Sequence, residues 1–347
     1  MSRHAELPPE LAPHVDIGAL ADWMDANGLG SGPVTAAVPL TGGTQNILIR
    51  LTRDGRDYVF RRTPPSPRSI SDEVMRREAR VLGALAGTDV PHPALIASEP
   101  DADVLGYVFL LMEVVDGVNP VDVPPTGDAA HYRRMGFSHV EALSELAGVD
   151  VAAVGLSDFG RPGAFLERQV PLWLGHLERY ARVETWPGPD SLPGVHGIAD
   201  WLERHRPEEA VPGLLHGDCH LGNTMLAPGS PEIAALIDWE MSTVGDPRLD
   251  LGWVMATWPD EEDTIGMGYP PDAGLASIDE LVAHYAARTS RPLDAAPWFG
   301  VMACFKLAIL LEGTFVRACA GKAPPAVGDR LHAMAVALFN RAQRWAD

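Results

Sequence analysis

Three oxygen-bearing side chains stand at fixed intervals in the second half of the sequence. Asp218 follows the apolar pair Leu214-Leu215, Asn223 comes five residues later, and Asp238 ends a second apolar run. Such oxygens suit a hard cation like Mg²⁺, which proteins usually hold by one or two carboxylates together with substrate phosphates. A nearby carboxylate that accepts a hydroxyl proton completes the set that phosphoryl transfer requires. The spacing therefore predicts a general base at Asp218 and a magnesium site at Asn223 and Asp238.

A short β-ribbon has to bring these groups together. Residues 224–226 and 233–237 are typical of strands, and the Pro/Gly-rich residues 227–231 are typical of a turn. In an antiparallel hairpin centred on that turn, Asn223 and Asp238 lie at the same open end, with Asp218 a few residues away. The metal site thus depends on this hairpin.

The same segments carry a resemblance to a known family. His216-Gly217-Asp218, followed by Asn223 and then by Ile237-Asp238-Trp239, resembles the signature of the aminoglycoside and choline kinase phosphotransferases. The similarity runs from about residue 38 to residue 317, and is strongest to kinase-like domains associated with acyl-CoA dehydrogenases. It implies an α+β, protein-kinase-like, two-lobed fold. Residues 1–117 would form a small β-rich N-lobe and residues 118–347 a larger, mainly helical C-lobe.

Composition limits the partners. The 347 residues are 46% hydrophobic and carry a net charge of −20, which argues against nucleic acid or an anionic membrane surface. The acidic balance serves solubility or, alternatively, a pocket for a cationic acceptor. The three cysteines are too few for a disulfide framework, and neither a signal peptide nor an apolar run of about 18 residues is visible. We therefore expect a cytoplasmic protein without membrane insertion. Its oligomeric state is left open.

A helix predicted at residues 71–86 presents an acidic residue on its apolar face. Glu78 lies in the middle of that face, and a buried carboxylate needs a cationic partner. The strand at residues 58–62 offers Arg61, with Arg62 as the alternative if the register slips. By resemblance Arg61 stands where protein kinases place a lysine that pairs with a helix glutamate and holds nucleotide phosphates, with Val59 beside the adenine. Arginine is a departure, since its planar fork is not equivalent to an ammonium.

The resemblance implies two further nucleotide contacts. A glycine-rich turn between two strands would cover the ATP phosphates, although no Gly-Lys-Ser/Thr follows it and it is not a Walker loop. A hinge after the buried strand at residues 108–112 would offer backbone groups to the adenine edge. The residues concerned are Gly42, Gly43, Thr44, Asn46, Glu113 and Val115.

Three residues would support the catalytic loop. By resemblance His216 and His220 shape the loop, and Asp250 accepts hydrogen bonds from its backbone amides. Asp250 could equally be the N-cap of a helix at residues 251–257. A zinc site at His216, Cys219 and His220 is disfavoured because no second ligand pair is visible.

Downstream of the hinge the sequence is mainly helical. Besides a first helix at residues 17–24, the predicted helices cover residues 131–147, 163–183, 198–206, 277–287, 299–316 and 328–345.

The sequence thus predicts an ATP- and Mg²⁺-dependent phosphotransferase that passes the γ-phosphoryl group to a hydroxyl of a small molecule. By resemblance the acceptor is a hydroxyacyl-CoA or a hydroxy acid. An aminoglycoside, a macrolide or choline is the competing acceptor. A non-catalytic nucleotide-binding module is the third possibility, and only Arg61 supports it. ATP is not distinguished from GTP.

Overall fold

The computed structural model describes residues 4–40, 46–65, 70–122, 127–208, 210–259, 265, 269 and 273–347. The chain divides into two compact units. One comprises Met1–Asp116 together with Ile237–Met241, and the other comprises Gly117–Leu236 and Ser242–Asp347. Residues 237–241, which the sequence analysis assigned to the C-lobe, group with the first unit because the short turn Trp239–Met241 packs on one of its helices.

An antiparallel five-stranded sheet forms the centre of the first unit, in the order β1-β2-β3-β5-β4. The predicted hairpin between β2 and β3 is confirmed: Asp54 and Gly55 both take the positive φ angles that a tight hairpin turn needs. Two helices accompany the sheet. The elements are α1 (Ile17–Ala26), β1 (Val34–Pro39), β2 (Ile47–Arg53), β3 (Arg56–Arg62), α2 (Ser71–Ala84), β4 (Leu95–Glu99) and β5 (Phe109–Met112).

The core of this unit lies between α1 and the sheet. Phe60 and Phe109 from neighbouring strands are fully buried, and Trp23 of α1 meets Phe109 edge to face at 4.7 Å between ring centroids. On α2 the apolar face expected from the sequence is buried, with Glu78 in its middle at 1% exposure. The face argument therefore predicted the burial of this carboxylate correctly.

The second unit is mainly helical, as expected. Its helix α8 is the core element and packs on α6 and α9. Two small two-stranded ribbons pair β6 with β9 and β7 with β8. The elements are α3 (Ala129–Gly148), α4 (Gln169–Tyr180), α5 (Val195–Arg204), β6 (Gly213–Leu215), β7 (Thr224–Leu226), β8 (Ile233–Leu236), β9 (Thr243–Gly245), α6 (Arg248–Thr257), α7 (Ile278–Ala286), α8 (Ala296–Cys319) and α9 (Pro325–Ala346).

Helix α8 differs from the sequence expectation in one respect. Among the described helices it alone is long and apolar enough to cross a membrane by length and composition. Of its most apolar 18-residue window, 61% is buried within the structure, as in a core helix.

The predicted antiparallel ribbon is formed by β7 and β8, with a register shift between Met225 and Leu226. Thr224 pairs with Leu236 and Met225 with Ala235, so β7 begins directly after Asn223 and β8 ends two residues before Asp238 in the chain. An additional bridge joins Val118 to Leu226. The hairpin on which the metal hypothesis depends is therefore present.

Candidate active site

In the first unit, three carboxylates surround one buried guanidinium. The alternation of β3 gives Arg61 a side chain that is 5% exposed, and its Nε lies 3.1 Å from Glu78 Oε2. Its Nη2 donates to Asp238 Oδ1 at 2.7 Å and to Glu240 Oε2 at 3.3 Å. Asn46 Nδ2 also donates to Glu240 Oε2, at 3.2 Å. We call Arg61, Glu78, Asp238 and Glu240 the arginine cluster.

The charges of the arginine cluster do not balance. Burial raises the pKa of Glu78 to about 7, although the Arg61 guanidinium opposes the shift. Burial by itself would lower the pKa of Arg61, but Glu78 and Asp238 raise it, so Arg61 stays charged. One cation thus faces up to three anions, and this excess negative charge favours a further cation at the exposed side, where Asp238 and Glu240 lie.

The backbone at Asp238 is itself unusual. Its φ of +66° lies in the left-handed region, which a residue with a Cβ adopts at a cost of about 1–3 kcal/mol and which clusters at functional sites. The conformation directs the Asp238 carboxylate into the arginine cluster. We attribute the retained strain to the role of this side chain.

In the second unit, the loop after β6 holds Asp218 and Asn223 together. The amide Nδ2 of Asn223 donates both to the backbone carbonyl of Asp218, at 2.8 Å, and to its Oδ2, at 2.9 Å. His220 Nε2 lies 3.7 Å from Asp218 Oδ1. The donor end of the Asn223 side chain thus fixes Asp218, while its oxygen is the atom proposed as a metal ligand.

Asp250 holds the same loop through hydrogen bonds to its backbone amides. Its Oδ2 accepts from the His216 amide at 2.7 Å and its Oδ1 accepts from the Gly217 amide at 2.9 Å. Burial raises the pKa of Asp250, while His216 and the loop amides oppose the shift. The bracing role expected by resemblance is present. The N-cap alternative is wrong, because α6 begins at Arg248 and its N-cap is Pro247.

Cys219 does not offer a thiolate. Its thiol is buried and donates to the backbone carbonyl of Asp250 at 3.1 Å, and burial raises the pKa of the thiol well above its ordinary range. A zinc ligand would need the opposite shift. The zinc alternative is therefore rejected on the environment of this side chain.

The remaining predicted positions have simple outcomes. Gly42, Gly43 and Thr44 lie outside the described residues. Val59 is partly buried on β3, opposite Met112.

At the hinge, the Glu113 amide donates to the Ala94 carbonyl at 2.9 Å. Any adenine contact would therefore fall to the Glu113 carbonyl and to Val115.

Arg62, the alternative to Arg61, is not in the arginine cluster. Its guanidinium carbon lies 3.8 Å from the centroid of the Tyr107 ring, and its Nε donates to the Thr63 carbonyl at 2.7 Å. Arg61 and Arg62 point to opposite sides of the strand, as strand alternation requires. The register alternative is wrong.

Sequence reasoning missed two charged residues. Glu240 is one of them: it lies two residues after Asp238, and the turn at Trp239 returns it to the same guanidinium. Lys306 was not noted at all, although a lysine in the middle of an apolar helix is an identifiable signal. Its Nζ donates to the Gly217 carbonyl at 3.0 Å.

A unit built on a small antiparallel sheet and a second, mainly helical unit are the two parts of a kinase-like fold. The chain belongs to the phosphotransferase enzyme family, whose sequence profile matches residues 36–293. Its fold is the kinase-like fold of the aminoglycoside phosphotransferase structures. The resemblance stated from the sequence is confirmed.

Curated relatives include acyl-CoA dehydrogenases. The mouse acyl-CoA dehydrogenase family member 10 is 28% identical over 286 residues, covering 79% of this chain and 26% of that protein. The probable acyl-CoA dehydrogenase IBR3 of Arabidopsis thaliana is 30% identical over 293 residues, covering 79% and 34%. The chain thus spans about a third or less of the length of these two relatives.

Solved structures resemble the whole chain. A putative aminoglycoside phosphotransferase from Ralstonia eutropha JMP134 is 29% identical with a TM-score of 0.77, covering 95% of this chain and 98% of that one. The GDP complex of wild-type aminoglycoside 2'-phosphotransferase-IIIa is 16% identical with a TM-score of 0.60, covering 95% and 99%, and bears on the fold alone.

Proposed function

We propose that the protein transfers the γ-phosphoryl group of ATP to a hydroxyl of a small molecule, with Mg²⁺ as cofactor and Asp218 as proton acceptor. The observation that carries the proposal is the double hydrogen bond from Asn223 to Asp218 on a loop whose amides Asp250 holds. These contacts hold the Asp218 carboxylate in place and leave it only partly buried, as a general base requires.

The arginine cluster is assigned to binding the phosphates of the nucleotide. Arg61 can bind phosphate oxygens through its fork, and Glu78 orients it from the buried side. Gly42, Gly43 and Thr44, together with Asn46, are proposed to cover the phosphates. Val59 and the backbone of Glu113 and Val115 are proposed to receive the adenine.

The residues present fit a magnesium ion. In the first unit, Asp238 would offer the hard oxygen ligand that Mg²⁺ prefers, within an arginine cluster that carries the excess negative charge described above; in the second unit, Asn223 is the other ligand that the sequence predicts. When bound, the ion would neutralise charge on the phosphates. The chain's own contribution is to hold Asp238 in its left-handed conformation and to keep Asp218 directed at the acceptor hydroxyl.

His216 and His220 act through the loop. The Asp218 amide approaches His216 Nδ1 at 3.4 Å, and His216 is fully buried. His220 is partly exposed beside Asp218. Since phosphoryl transfer depends on positioning and charge stabilisation, neither imidazole needs to form a covalent intermediate.

We propose a hydroxyacyl-CoA or a related hydroxy acid as the acceptor. The support is the sequence similarity to proteins named as acyl-CoA dehydrogenases, at 28–30% identity. Aminoglycosides are the second candidate class, supported by the named structural neighbour at 29% identity. Macrolides and choline remain in the test panel because acceptor pockets vary within one fold.

Acceptor-dependent ATP turnover tests the proposal. Purified protein with Mg²⁺ and ATP or GTP is assayed against hydroxyacyl-CoAs that differ in hydroxyl position, free hydroxy acids, aminoglycosides, a macrolide and choline. We expect one class to give phosphorylated product by mass spectrometry. Nucleotide-dependent thermal stabilisation without transfer to any acceptor or to water would instead identify a non-catalytic nucleotide-binding module.

The isosteric variant Asp218→Asn tests the base. We expect turnover to fall by about 10²-fold or more while nucleotide binding persists, because the substitution removes the proton acceptor and keeps the shape of the side chain. Asp200→Asn, at an exposed position on α5, is the matched control and should keep full turnover. Wild-type turnover in Asp218→Asn would remove Asp218 from this role.

A further inference from the structure

Lys306 is an unusual cation for this chain. Lys306 and Lys322 are the only lysines among the 27 basic residues. Lys306 lies in the middle of α8, whose only other charged residues are Glu312 and Arg317. At every other basic position except Lys322 this chain uses arginine, so a compact ammonium at residue 306 calls for a physical reason.

The surroundings of Lys306 are costly for a charge. Its Nζ lies 4.4 Å from the centroid of the Trp253 ring and 5.9 Å from that of Trp173. Within the described part of the chain no carboxylate forms an ion pair with it. Burial lowers the pKa of Lys306, against the attraction of Asp218 and Asp250. Indole faces and one carbonyl compensate only part of the lost hydration.

Among the residues that the structure describes, the ammonium donates one direct hydrogen bond, and it goes to the catalytic loop. Lys306 Nζ donates to the carbonyl of Gly217 at 3.0 Å. That carbonyl belongs to the peptide plane that also contains the amide nitrogen and Cα of Asp218. Fixing the carbonyl therefore fixes the direction in which the Asp218 side chain projects from the backbone.

Lys306 completes a clamp whose other half is Asp250. Asp250 holds the amide of Gly217 at 2.9 Å, and Lys306 holds its carbonyl. Gly217 has a φ of +86°, which a glycine adopts without strain; because a glycine also has the most backbone freedom, contacts from outside the loop are what fix its orientation. An anion and a cation on the two sides of one glycine prevent rotation of the peptide before Asp218.

We propose that Lys306 is a positioning residue for Asp218: its ammonium holds the Gly217 carbonyl so that the Asp218 carboxylate faces the acceptor hydroxyl. This inference rests on the proposed function. It predicts that removal of the ammonium lowers the rate of transfer more than it weakens nucleotide binding, since the nucleotide is assigned to the arginine cluster.

Turnover of two variants tests the inference. In Lys306→Met we expect kcat to fall at least tenfold with the KM for Mg²⁺-ATP changed less than threefold, measured on folded protein well below its melting temperature. Lys306→Arg should keep part of the rate, because a guanidinium can still donate to the carbonyl. Lys322→Met, at the exposed second lysine, is the matched control. Equal turnover in Lys306→Met and wild type overturns the inference.

A spectroscopic arm does not need an acceptor. Lysine labelled with ¹³C at Cε gives only two side-chain resonances, and Lys306 is assigned by its loss in Lys306→Arg. We expect its titration midpoint to lie below the ordinary value of a lysine and to fall further in Asp218→Asn, since one attracting carboxylate is removed while Asp250 remains. A Lys306 resonance that titrates like Lys322 and ignores Asp218→Asn overturns the placement of the ammonium.

The two arms separate the possible failures. Wild-type protein that transfers phosphate to no acceptor and not to water overturns the proposed function, and the catalytic role of Lys306 with it. An active wild type whose Lys306→Met variant is equally active overturns the role of Lys306 alone.

Discussion

Replacing Arg61 with methionine should make stability strongly dependent on pH. The substitution keeps the length of the apolar stem and removes the only cation of the arginine cluster. Glu78, at 1% exposure, then has no compensating charge. Breaking a buried ion pair by removing one partner typically costs about 3–5 kcal/mol because the other charge is left uncompensated.

The protonation of Glu78 limits this cost at low pH. Its pKa is already raised to about 7, and removal of the Arg61 guanidinium raises it further. A carboxyl whose folded-state pKa exceeds its unfolded value binds more protons when folded, so stability is retained below the unfolded value and lost as pH rises through the folded one. At pH 5 the neutral acid costs only about 1–3 kcal/mol as an incompletely satisfied group. At pH 8 we expect the full loss of about 3–5 kcal/mol.

Urea unfolding at pH 5 and pH 8 measures the difference. Arg50→Met is the matched control on the neighbouring strand, because Arg50 is half exposed and its pair with Asp57 contributes at most about 1 kcal/mol. The double variant Arg61→Met/Glu78→Leu should recover most of the stability at pH 8, since the uncompensated charge is gone. Equal destabilisation by Arg61→Met at both pH values, or no recovery in the double variant, would refute the assignment of a buried charge to Glu78.

Two further substitutions test the supports of the catalytic loop. Asp250→Asn replaces one of the two oxygens that accept from the His216 and Gly217 amides by a donor. We expect the free energy of unfolding in urea to fall by about 1–3 kcal/mol and hydrogen exchange at those two amides to become faster. Unchanged exchange would contradict the bracing role. Gly117→Ala would place a Cβ 2.5 Å from the Leu226 carbonyl oxygen and should destabilise the second unit by about 1–3 kcal/mol. Its control is Gly148→Ala at the end of α3, where the added Cβ has no neighbouring atom within 4 Å. In urea unfolding this variant should be as stable as the wild type or more stable.

Local patterns predicted the parts of the fold that depend on neighbouring residues. The hairpin at Asp54-Gly55 and the ribbon around residues 227–231 followed from turn residues between apolar runs. The burial of Glu78 followed from helical periodicity, and the need of a buried carboxylate for a cation led to Arg61. Each of these inferences needed only a period or a charge-pairing rule.

The remaining features depend on contacts between distant segments, and local pattern does not report those. Lys306 is 88 residues from Asp218, and only the packing of α8 shows that its ammonium reaches the loop. Asp250 has the sequence neighbourhood of a helix N-cap, yet the helix begins two residues earlier and turns its carboxylate to the loop amides. Both cases concern side chains whose partners are set by tertiary structure.

The arginine at residue 61 and the lysine at residue 306 bind different kinds of partner. At residue 61 one side chain has to meet Glu78 through Nε and both Asp238 and Glu240 through Nη2, and a planar fork with several donors can do this while staying charged. At residue 306 the partner is one carbonyl between indole rings, which suits a compact ammonium on a flexible stem. The three carboxylates around residue 61 thus give a physical reason for an arginine at the position where the family resemblance places a lysine.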